Sequence, residues 1–393
     1  MATRARSLAS LGLLLCLGCV SSAGTVPGGG AEPPSLDFAA LAERLLERLE
    51  LRPGERVLLV GVPGSFDALV PAFREGVAAA GATDLGAWSV AGDTPDAWST
   101  DFTARLAESS VETLARILSE VDAAVMMPGA STMHPVYAGL QDVLRRGRGR
   151  TVHFHWAGAY ALDGTLMGQT PEYDAFYQSV LHETDYAALG AAQVGFELAM
   201  RGGEVRVTTP AGTDLSFRIG DRPVTKQDGN ASAARAARAL NLIDREVELP
   251  AGAIRVAPLE ASVDGVIAFP PSVWGETTVH GLVLTFESGR VVDARAERGL
   301  DAVLAEMDSA GDAGRAFREF ALGFNPLLAI PERGDPWIPY YGYGAGVVRL
   351  SLGDNSELGG AVGGGYVRWN FFTDATVTIA GDVWVEGGML VVR

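Results

Sequence analysis

Between residues 36 and 156, helical stretches alternate with short apolar runs. In residues 36–51 the side chains Leu41, Leu45, Leu46 and Leu49 recur at helical spacing, and Pro53-Gly54 ends the helix. The run that follows, Arg-Val-Leu-Leu-Val-Gly at 56–61, is typical of a strand buried on both faces. Further helices are predicted at 67–80, 104–120 and 135–145, and further strands at 85–90, 123–127 and 151–156. This alternation predicts an α/β domain with a doubly wound parallel sheet.

After a helix predicted at 185–200, the pattern changes to strands joined by short turns. Residues 204–209 and 214–219 flank Pro-Ala-Gly-Thr and predict a hairpin. Other strands are predicted at 265–269, 281–286, 291–296, 366–372 and 375–379, with one helix at 300–307. We therefore predict a C-terminal β-rich α+β domain over 191–393, after an N-terminal α/β domain over 35–190.

The first residues have the pattern of an export signal. Arg4 and Arg6 precede the apolar run 8–17, which is too short to span a membrane. Leu-Gly-Cys at 17–19 resembles a bacterial lipobox, so we predict a signal peptide over 1–19, lipidation of Cys19 and a Gly/Pro-rich tether over 20–34. The alternative is that Cys16 and Cys19, the only cysteines, are small residues of a signal that is cleaved elsewhere. The predicted location is the bacterial cell envelope, with the protein lipid-anchored or periplasmic or secreted.

The chain is acidic, with a formal net charge of −17 at pH 7. This charge argues against nucleic acid and anionic membrane surfaces as partners, so any contact with a membrane is expected through the lipid anchor alone. A negative net charge also keeps an exported protein soluble, and this role explains the charge without any binding partner.

Polar side chains converge in the predicted C-terminal strands. Alternation along 347–352 places Arg349 on the polar face, and the same period of two places Arg368 and Asn370 on one face with Trp369 behind them. Together with Glu319 these side chains predict one site.

The segments that hold these residues resemble signatures of a known family. They are GAIRVAP at 252–258, REFALGFNP at 318–326, GVVRLSLGDN at 346–355 and VRWN at 367–370. Their order and spacing resemble the thermophilic metalloaminopeptidases (aminopeptidase T and aminopeptidase S), whose segments read approximately GEVFTAP, GExALGxNP, GTVHIALGDN and HWD. The resemblance covers nearly all of the mature chain and implies the same two-domain fold, a homodimer and a site of two divalent ions, zinc or cobalt.

When the family's five metal ligands are matched position by position with this chain, the resemblance implies that Glu319 is the one ligand retained. The other positions, one glutamate, two histidines and one aspartate, are replaced as Ala253, Arg349, Arg368 and Asn370, and a tyrosine of the family is replaced by Ser356. A guanidinium stays protonated and has no lone pair for a metal. We therefore predict no bound cofactor and an aminopeptidase-like pseudoenzyme that is inactive or rewired, with a peptide or small carboxylate as the candidate ligand. The alternative is an active aminopeptidase with displaced ligands, in which Glu319 is catalytic.

Three other features leave alternatives open. His153 and His155 have a spacing suitable for zinc or iron on one strand face, but no third ligand is evident nearby in the sequence. Glu260 could replace the carboxylate lost at Ala253, although the intervening Pro258 argues against the same side-chain direction. The aromatic run 337–343 is either core or an exposed binding lip.

Overall fold

The computed structural model describes residues 35–64, 66–130, 134–331 and 335–391. The predicted signal peptide, the tether and Cys19 lie outside these ranges. Among the described residues no helix has both the length and the apolar character needed to cross a membrane.

The first half of the described chain alternates helices and strands, as predicted. Its elements are α1 Phe38–Leu49, β1 Arg56–Gly61, α2 Leu69–Ala79, β2 Thr83–Ser89, α3 Asp101–Ala107, α4 Val111–Leu118, β3 Ala123–Met126, α5 Pro135–Arg145, β4 Arg150–His153, β5 Tyr160–Ala161, α6 Pro171–Glu183 and α7 Tyr186–Gly202.

The second half is mostly strands. Its elements are β6 Val205–Thr208, β7 Asp214–Phe217, β8 Val224–Lys226, α8 Ala233–Ala236, β9 Glu246–Glu248, β10 Ala253–Val256, β11 Asp264–Ala268, β12 Ser272–Trp274, β13 Thr277–Val279, β14 Val283–Glu287, β15 Arg290–Arg295, α9 Leu300–Ser309, β16 Phe317–Gly323, β17 Trp337–Ile338, β18 Val348–Gly353, β19 Val367–Arg368, β20 Phe371–Phe372, β21 Thr376–Ile379, β22 Asp382–Glu386 and β23 Met389–Leu390.

A five-stranded parallel sheet with the order β2-β1-β3-β4-β9 forms the first half of the fold. Side chains of β1 alternate between two apolar layers: Val57 and Leu59 pack with α1 and α2, whereas Leu58 and Val60 pack with α3, α4 and α5. Helices therefore cover both faces, which confirms the doubly wound fold class. The sheet takes its last strand, β9, from beyond residue 190, so the parallel sheet and the predicted boundary do not coincide.

Two helical regions differ from the sequence prediction. The single helix predicted at 104–120 is two helices, because Thr100 begins α3 with a reciprocal capping box and the extended backbone of Ser110 begins α4 anew. Helix α6 was not predicted, although Thr170 accepts a hydrogen bond from the Tyr173 amide and Pro171 occupies the first turn.

Two large antiparallel sheets, and the two-stranded pairs β12-β13 and β5-β17, contain the remaining strands of the described residues. The larger has the order β15-β14-β11-β7-β6-β21-β22-β23, and the smaller has the order β19-β18-β16-β10-β8, with β20 also paired to β18. Every residue of β10, β16 and β18 is buried. The smaller sheet therefore carries polar side chains into the interior.

Candidate functional site

Three neighbouring strands bring charged side chains onto one face of the smaller sheet. Ala321 of β16 lies opposite both Arg255 of β10 and Arg349 of β18, and two residues earlier Glu319 lies opposite Ser351. The methyl group of Ala321 leaves room for both arginines to reach along the sheet to Glu319. We call Arg255, Glu319, Arg349 and Ser351 the arginine–glutamate cluster.

Glu319 accepts hydrogen bonds on both carboxylate oxygens. The Nε of Arg255 donates to Oε2 over 3.0 Å, while the Nε of Arg349 donates to Oε1 over 3.1 Å and Ser351 Oγ donates to Oε1 over 3.2 Å. The Nη2 atoms of the two arginines also lie 2.9 Å from these oxygens, one arginine to each. The carboxylate is thus held between two guanidinium groups.

This ionic group is fully buried. Glu319 is 0% exposed and Arg349 is 2% exposed. Burial by itself raises the pKa of Glu319, but the charges of Arg255, Arg349 and Arg318 outweigh burial and hold the pKa well below its ordinary range. Glu319 is therefore ionised at neutral pH.

Arg368 does not join this cluster, contrary to the prediction. Its Nη1 lies 2.9 Å from Oε1 of Glu306, its Nη2 donates to the carbonyl of Val273 over 2.7 Å, and its guanidinium lies 3.5 Å from the ring centre of Trp274. Arg368 lies on β19, next to the end of β18, so its side chain reaches α9 rather than Glu319.

The remaining predicted positions are also separate from Glu319. Asn370 accepts from the Nε of Arg368 over 3.2 Å and donates to the carbonyl of Leu350 over 3.1 Å. Ala253 is buried opposite Gly323. Ser356 is exposed, and its hydroxyl donates to Asp354 over 2.6 Å. Sequence spacing did not bring these three residues into one site.

Arg255 is the member of the cluster that the sequence analysis missed. It lies two residues after Ala253 on β10, so the period of two places both on the same face of the strand. The signal was therefore present in the segment 252–258, but an arginine beside a lost ligand position was not recognised as its replacement.

The aromatic run 337–343 is core, and it also packs against the cluster. Tyr340 and Tyr343 are almost fully buried, and the carbonyl of Tyr341 accepts from Nη1 of Arg349 over 2.9 Å. Tyr340 and Tyr341 both have positive φ angles, of 35° and 56°. Such backbone costs about 1–3 kcal/mol and persists only where its surroundings hold it. Here the Tyr341 amide donates to Gly158 over 2.7 Å.

A second polar group lies at the end of the parallel sheet. His153 ends β4, and its register partner on β9 is Glu248. Nδ1 of His153 lies 3.3 Å from Oε1 of Glu248, and its ring centre lies 4.7 Å from that of His155. One donor atom from each of these three residues falls within 4.8 Å of the others. We call His153, His155, Glu246 and Glu248 the histidine–glutamate cluster.

Burial shifts the pKa values in this cluster in different directions. For His155, burial and the neighbouring His153 lower the pKa to about 4. For Glu246, burial raises the pKa to about 7. Burial opposes protonation of His153, but Glu246 and a hydrogen bond with Glu248 outweigh it and raise the His153 pKa. Strand pairing thus places a carboxylate, that of Glu248, beside the H-x-H pair, although the two are about 95 residues apart in the chain.

A cavity of about 130 Å³ separates the two clusters. Its lining includes Arg255, Arg349 and Glu357 together with all four residues of the histidine–glutamate cluster. The lining also includes four aromatic side chains: Tyr137, Tyr341, Tyr343 and Trp369. The cavity wall therefore contains cationic, anionic and aromatic groups.

Part of this chain is similar in sequence to a known protein family, and its fold is similar to solved structures. Residues 200–329 match the sequence model of the family described as Thermophilic metalloprotease (M29). The structure resembles that of wild-type AmpT from Thermus thermophilus, with a TM-score of 0.58 and 19% identity over 90% of this chain and 99% of AmpT. The protein is thermophilic-aminopeptidase-like.

The same fold also occurs in an oxygenase. The aminopeptidase-like chain resembles 2,5-dihydroxypyridine dioxygenase from Pseudomonas putida KT2440, with a TM-score of 0.62 and 16% identity over 91% of this chain and 99% of the dioxygenase. At such identity the likeness concerns the fold alone. No curated protein matches the sequence.

The two-metal centre implied by this family does not fit the residues that this aminopeptidase-like chain has in its place. Both oxygens of Glu319 are engaged by guanidinium groups. Arg349 and Arg368 have no lone pair to offer a metal. An ion bound at Glu319 would also face the positive charges of Arg255 and Arg349, so we derive no catalytic step through two metal ions.

Proposed function

We propose that this aminopeptidase-like protein does not hydrolyse peptides by a two-metal mechanism, and that it binds a small carboxylic acid in the cavity between its two clusters. One observation carries the proposal. Arg255 and Arg349 both line the cavity, are 6% and 2% exposed, and share the single carboxylate of Glu319. Two guanidinium groups with one carboxylate between them are suited to bind the carboxylate of a ligand as well.

The charge of the arginine–glutamate cluster supports an anionic ligand. Two arginines surround one glutamate, so the cluster keeps a formal charge of +1. The nearby Arg318 is paired with Glu357 and adds no net charge. A ligand carboxylate would balance this positive charge beside two largely buried arginines.

The size of the cavity favours a small acid over a peptide. An apolar cavity of about 150 Å³ is known to bind benzene, and this one measures about 130 Å³. Ligands no larger than about benzene, such as propionate, are therefore compatible with the cavity, and the aromatic side chains Tyr341, Tyr343 and Trp369 provide apolar surface for the rest of the ligand.

Binding of matched acid and amide pairs tests this proposal. We expect propionate to raise the melting temperature and to give a calorimetric binding signal, and propionamide to give neither. Arg255→Lys keeps the positive charge but removes the guanidinium, so it should weaken acid binding at least tenfold. Arg206→Lys, on an exposed strand residue paired with Asp214, is the matched control. Equal binding of acids and amides, or an unchanged affinity in Arg255→Lys, contradicts the proposal.

Peptidase assays test the loss of two-metal hydrolysis. We expect no turnover of Leu- or Phe-aminoacyl reporter substrates above background after incubation with zinc or cobalt, because four of the five ligand positions are replaced. The competing function is an active aminopeptidase with displaced ligands. Metal-dependent turnover that a chelator and Glu319→Gln both abolish would establish that competing function instead.

A further inference from the structure

The histidine–glutamate cluster has the donor set of a mononuclear transition-metal site, and it lines the same cavity as Arg255. We propose that His153, His155 and Glu248 bind one divalent first-row transition ion, of the zinc or iron(II) class. The inference concerns other residues than the proposed acid site and does not depend on it.

The donor atoms are already close to coordination geometry. Two ligands of a tetrahedral zinc ion, each about 2.0–2.1 Å from the metal, are about 3.3 Å apart. Nδ1 of His153 and Oε1 of Glu248 are 3.3 Å apart. The three donor atoms all fall within 4.8 Å of one another, so a movement of the His155 imidazole by at most about 1.5 Å brings all three to that spacing.

His155 presents its imidazole to the cavity beside His153. It is 8% exposed and lines the cavity, and its ring centre lies 4.7 Å from that of His153. A metal ion that reaches the cavity would therefore meet both imidazoles together.

Neighbouring groups are arranged as supports for metal ligands. When Nδ1 of His153 faces the metal, its Nε2 faces Thr151 Oγ1 at 3.3 Å and Glu246 Oε1 at 3.9 Å. The Tyr340 hydroxyl donates to Oε2 of Glu248 over 3.0 Å, which leaves Oε1 for the metal. Metal-binding histidines and carboxylates are usually oriented by such outer contacts.

Strand pairing gives the site a rigid base, and the cavity gives it an open side. His153 and Glu248 are register partners on β4 and β9, so their backbones are fixed by the parallel sheet. Three protein ligands leave at least one coordination position free, and that position faces the cavity. Two histidines and one carboxylate suit zinc or iron(II), whereas calcium and magnesium prefer oxygen ligands alone.

Cobalt(II) provides a direct test. The full-length protein, purified without a histidine tag, is stripped with a chelator and titrated with Co²⁺ while visible absorption is recorded, and elemental analysis of the protein as purified gives the native metal. We expect one ion per chain, with the absorption of a four- or five-coordinate site. Tyr340→Phe removes only an outer contact and should weaken Co²⁺ binding by ~10–100-fold. His155→Ala and Glu248→Gln remove ligands and should weaken it by more than that.

Control variants separate this site from the position of the family's metals. His280→Ala removes a histidine outside the cluster and should bind Co²⁺ as the wild type does. Glu319→Gln should also bind Co²⁺ as the wild type does. If Glu319→Gln does not fold, Asn370→Ala serves as the control in its place. The proposal is overturned if no stoichiometric absorption band appears, or if His155→Ala binds Co²⁺ with unchanged affinity. It is also overturned if Glu319→Gln or Asn370→Ala loses binding while His155→Ala retains it.

Discussion

Arg255 approaches Glu319 from the strand on one side of it, and its Nε lies 3.0 Å from Oε2. Arg349 approaches Oε1 from the strand on the other side, so each carboxylate oxygen has its own guanidinium. The result is a buried Arg-Glu-Arg triad in which neither arginine can lose its partner without leaving a charge behind. Several expectations about stability depend on this arrangement.

Glu319→Gln should strongly destabilise the protein. The substitution keeps the shape of the side chain but leaves two buried guanidinium groups without a counter-charge, and breaking a buried ion pair in this way costs about 3–5 kcal/mol. Chemical denaturation gives the free energy of unfolding. By contrast, replacing all three charges with apolar residues of similar volume, in Arg255→Met/Glu319→Leu/Arg349→Met, should recover most of that loss. A loss below about 1 kcal/mol in Glu319→Gln would show that the triad contributes little.

The same triad predicts a particular pH dependence. The folded-state pKa of Glu319 lies well below its ordinary value of 4.5, so below that pH the unfolded chain binds the proton more readily than the folded chain does. The stability due to Glu319 is therefore present above about pH 4.5 and is lost as pH falls through the folded-state pKa. The difference in unfolding free energy between wild type and Glu319→Gln should stay constant from neutral pH to about pH 5 and shrink below it. A difference that already changes between pH 8 and 6 would rule out this assignment.

Double-mutant cycles should assign Arg368 to Glu306 and not to Glu319. Contacting residues couple by about 0.5–3 kcal/mol, whereas distant residues add within about 0.3–0.5 kcal/mol. Substituting methionine for arginine and glutamine for glutamate, we expect coupling between Arg349 and Glu319 and between Arg368 and Glu306. The cycle for Arg368 and Glu319 should be additive. Strong coupling in that last cycle would restore the sequence-based prediction.

Gly158→Ala should disturb the wall of the cavity. A Cβ at Gly158 would lie 2.5 Å from the ring of Tyr341, whose carbonyl holds Arg349. Gly164→Ala is a matched control, because the φ angles of the two glycines are +81° and +83° and a Cβ at Gly164 meets nothing within 4 Å. Both variants bear the cost of left-handed backbone, about 1–2 kcal/mol. Gly158→Ala should lose a further ~1–3 kcal/mol through overpacking, as thermal or chemical unfolding will show. Equal losses in both variants would mean that the Tyr341 ring moves away freely.

Lipid on Cys19 should keep the mature protein with membranes. The basic start, the apolar run and Gly18-Cys19 ahead of a Gly/Pro-rich tether motivate this prediction. Mass spectrometry of the N-terminal peptide and membrane fractionation test it. A Cys19→Ser protein that is processed and fractionates like the wild type would contradict it.

The alternation of apolar runs was sufficient for the α/β fold. Strand β1 is buried on both faces, and helix α1 has one apolar stripe. Each pattern follows directly from which side chains are shielded from solvent, so it can be recognised in the sequence. Helix α6 escaped prediction because its apolar residues are spread around the helix rather than confined to one stripe. The order of the strands was not predictable either, since β9 joins β4 only through pairing between residues about 95 positions apart.

At the arginine–glutamate cluster, sequence and tertiary structure contributed different parts. Glu319 and Arg349 could be singled out because each stands at a recognisable position in a segment, and alternation along β18 turns Arg349 toward the polar face. Arg255, and not Arg368, completes the triad because β10 and β18 flank β16, whereas β19 pairs only with the end of β18. The order of the strands in the sheet decides which charged side chains come into contact, and the amino-acid sequence does not show that order directly.

The histidine–glutamate cluster shows the same division most clearly. The H-x-H spacing predicted that His153 and His155 point to the same side, because side chains alternate along a strand. Their ring centres do lie 4.7 Å apart, although β4 ends at His153. The spacing could not name Glu248, the Tyr340 hydroxyl that supports it, or the cavity in front of them. Those depend on parallel pairing of β4 with β9 and on the turn at Tyr340 and Tyr341. The sequence alone thus determined the local periodicity and the chemistry available, while only the tertiary structure decided which distant side chains lie within a few ångströms of one another, because packing and not spacing along the chain sets those distances.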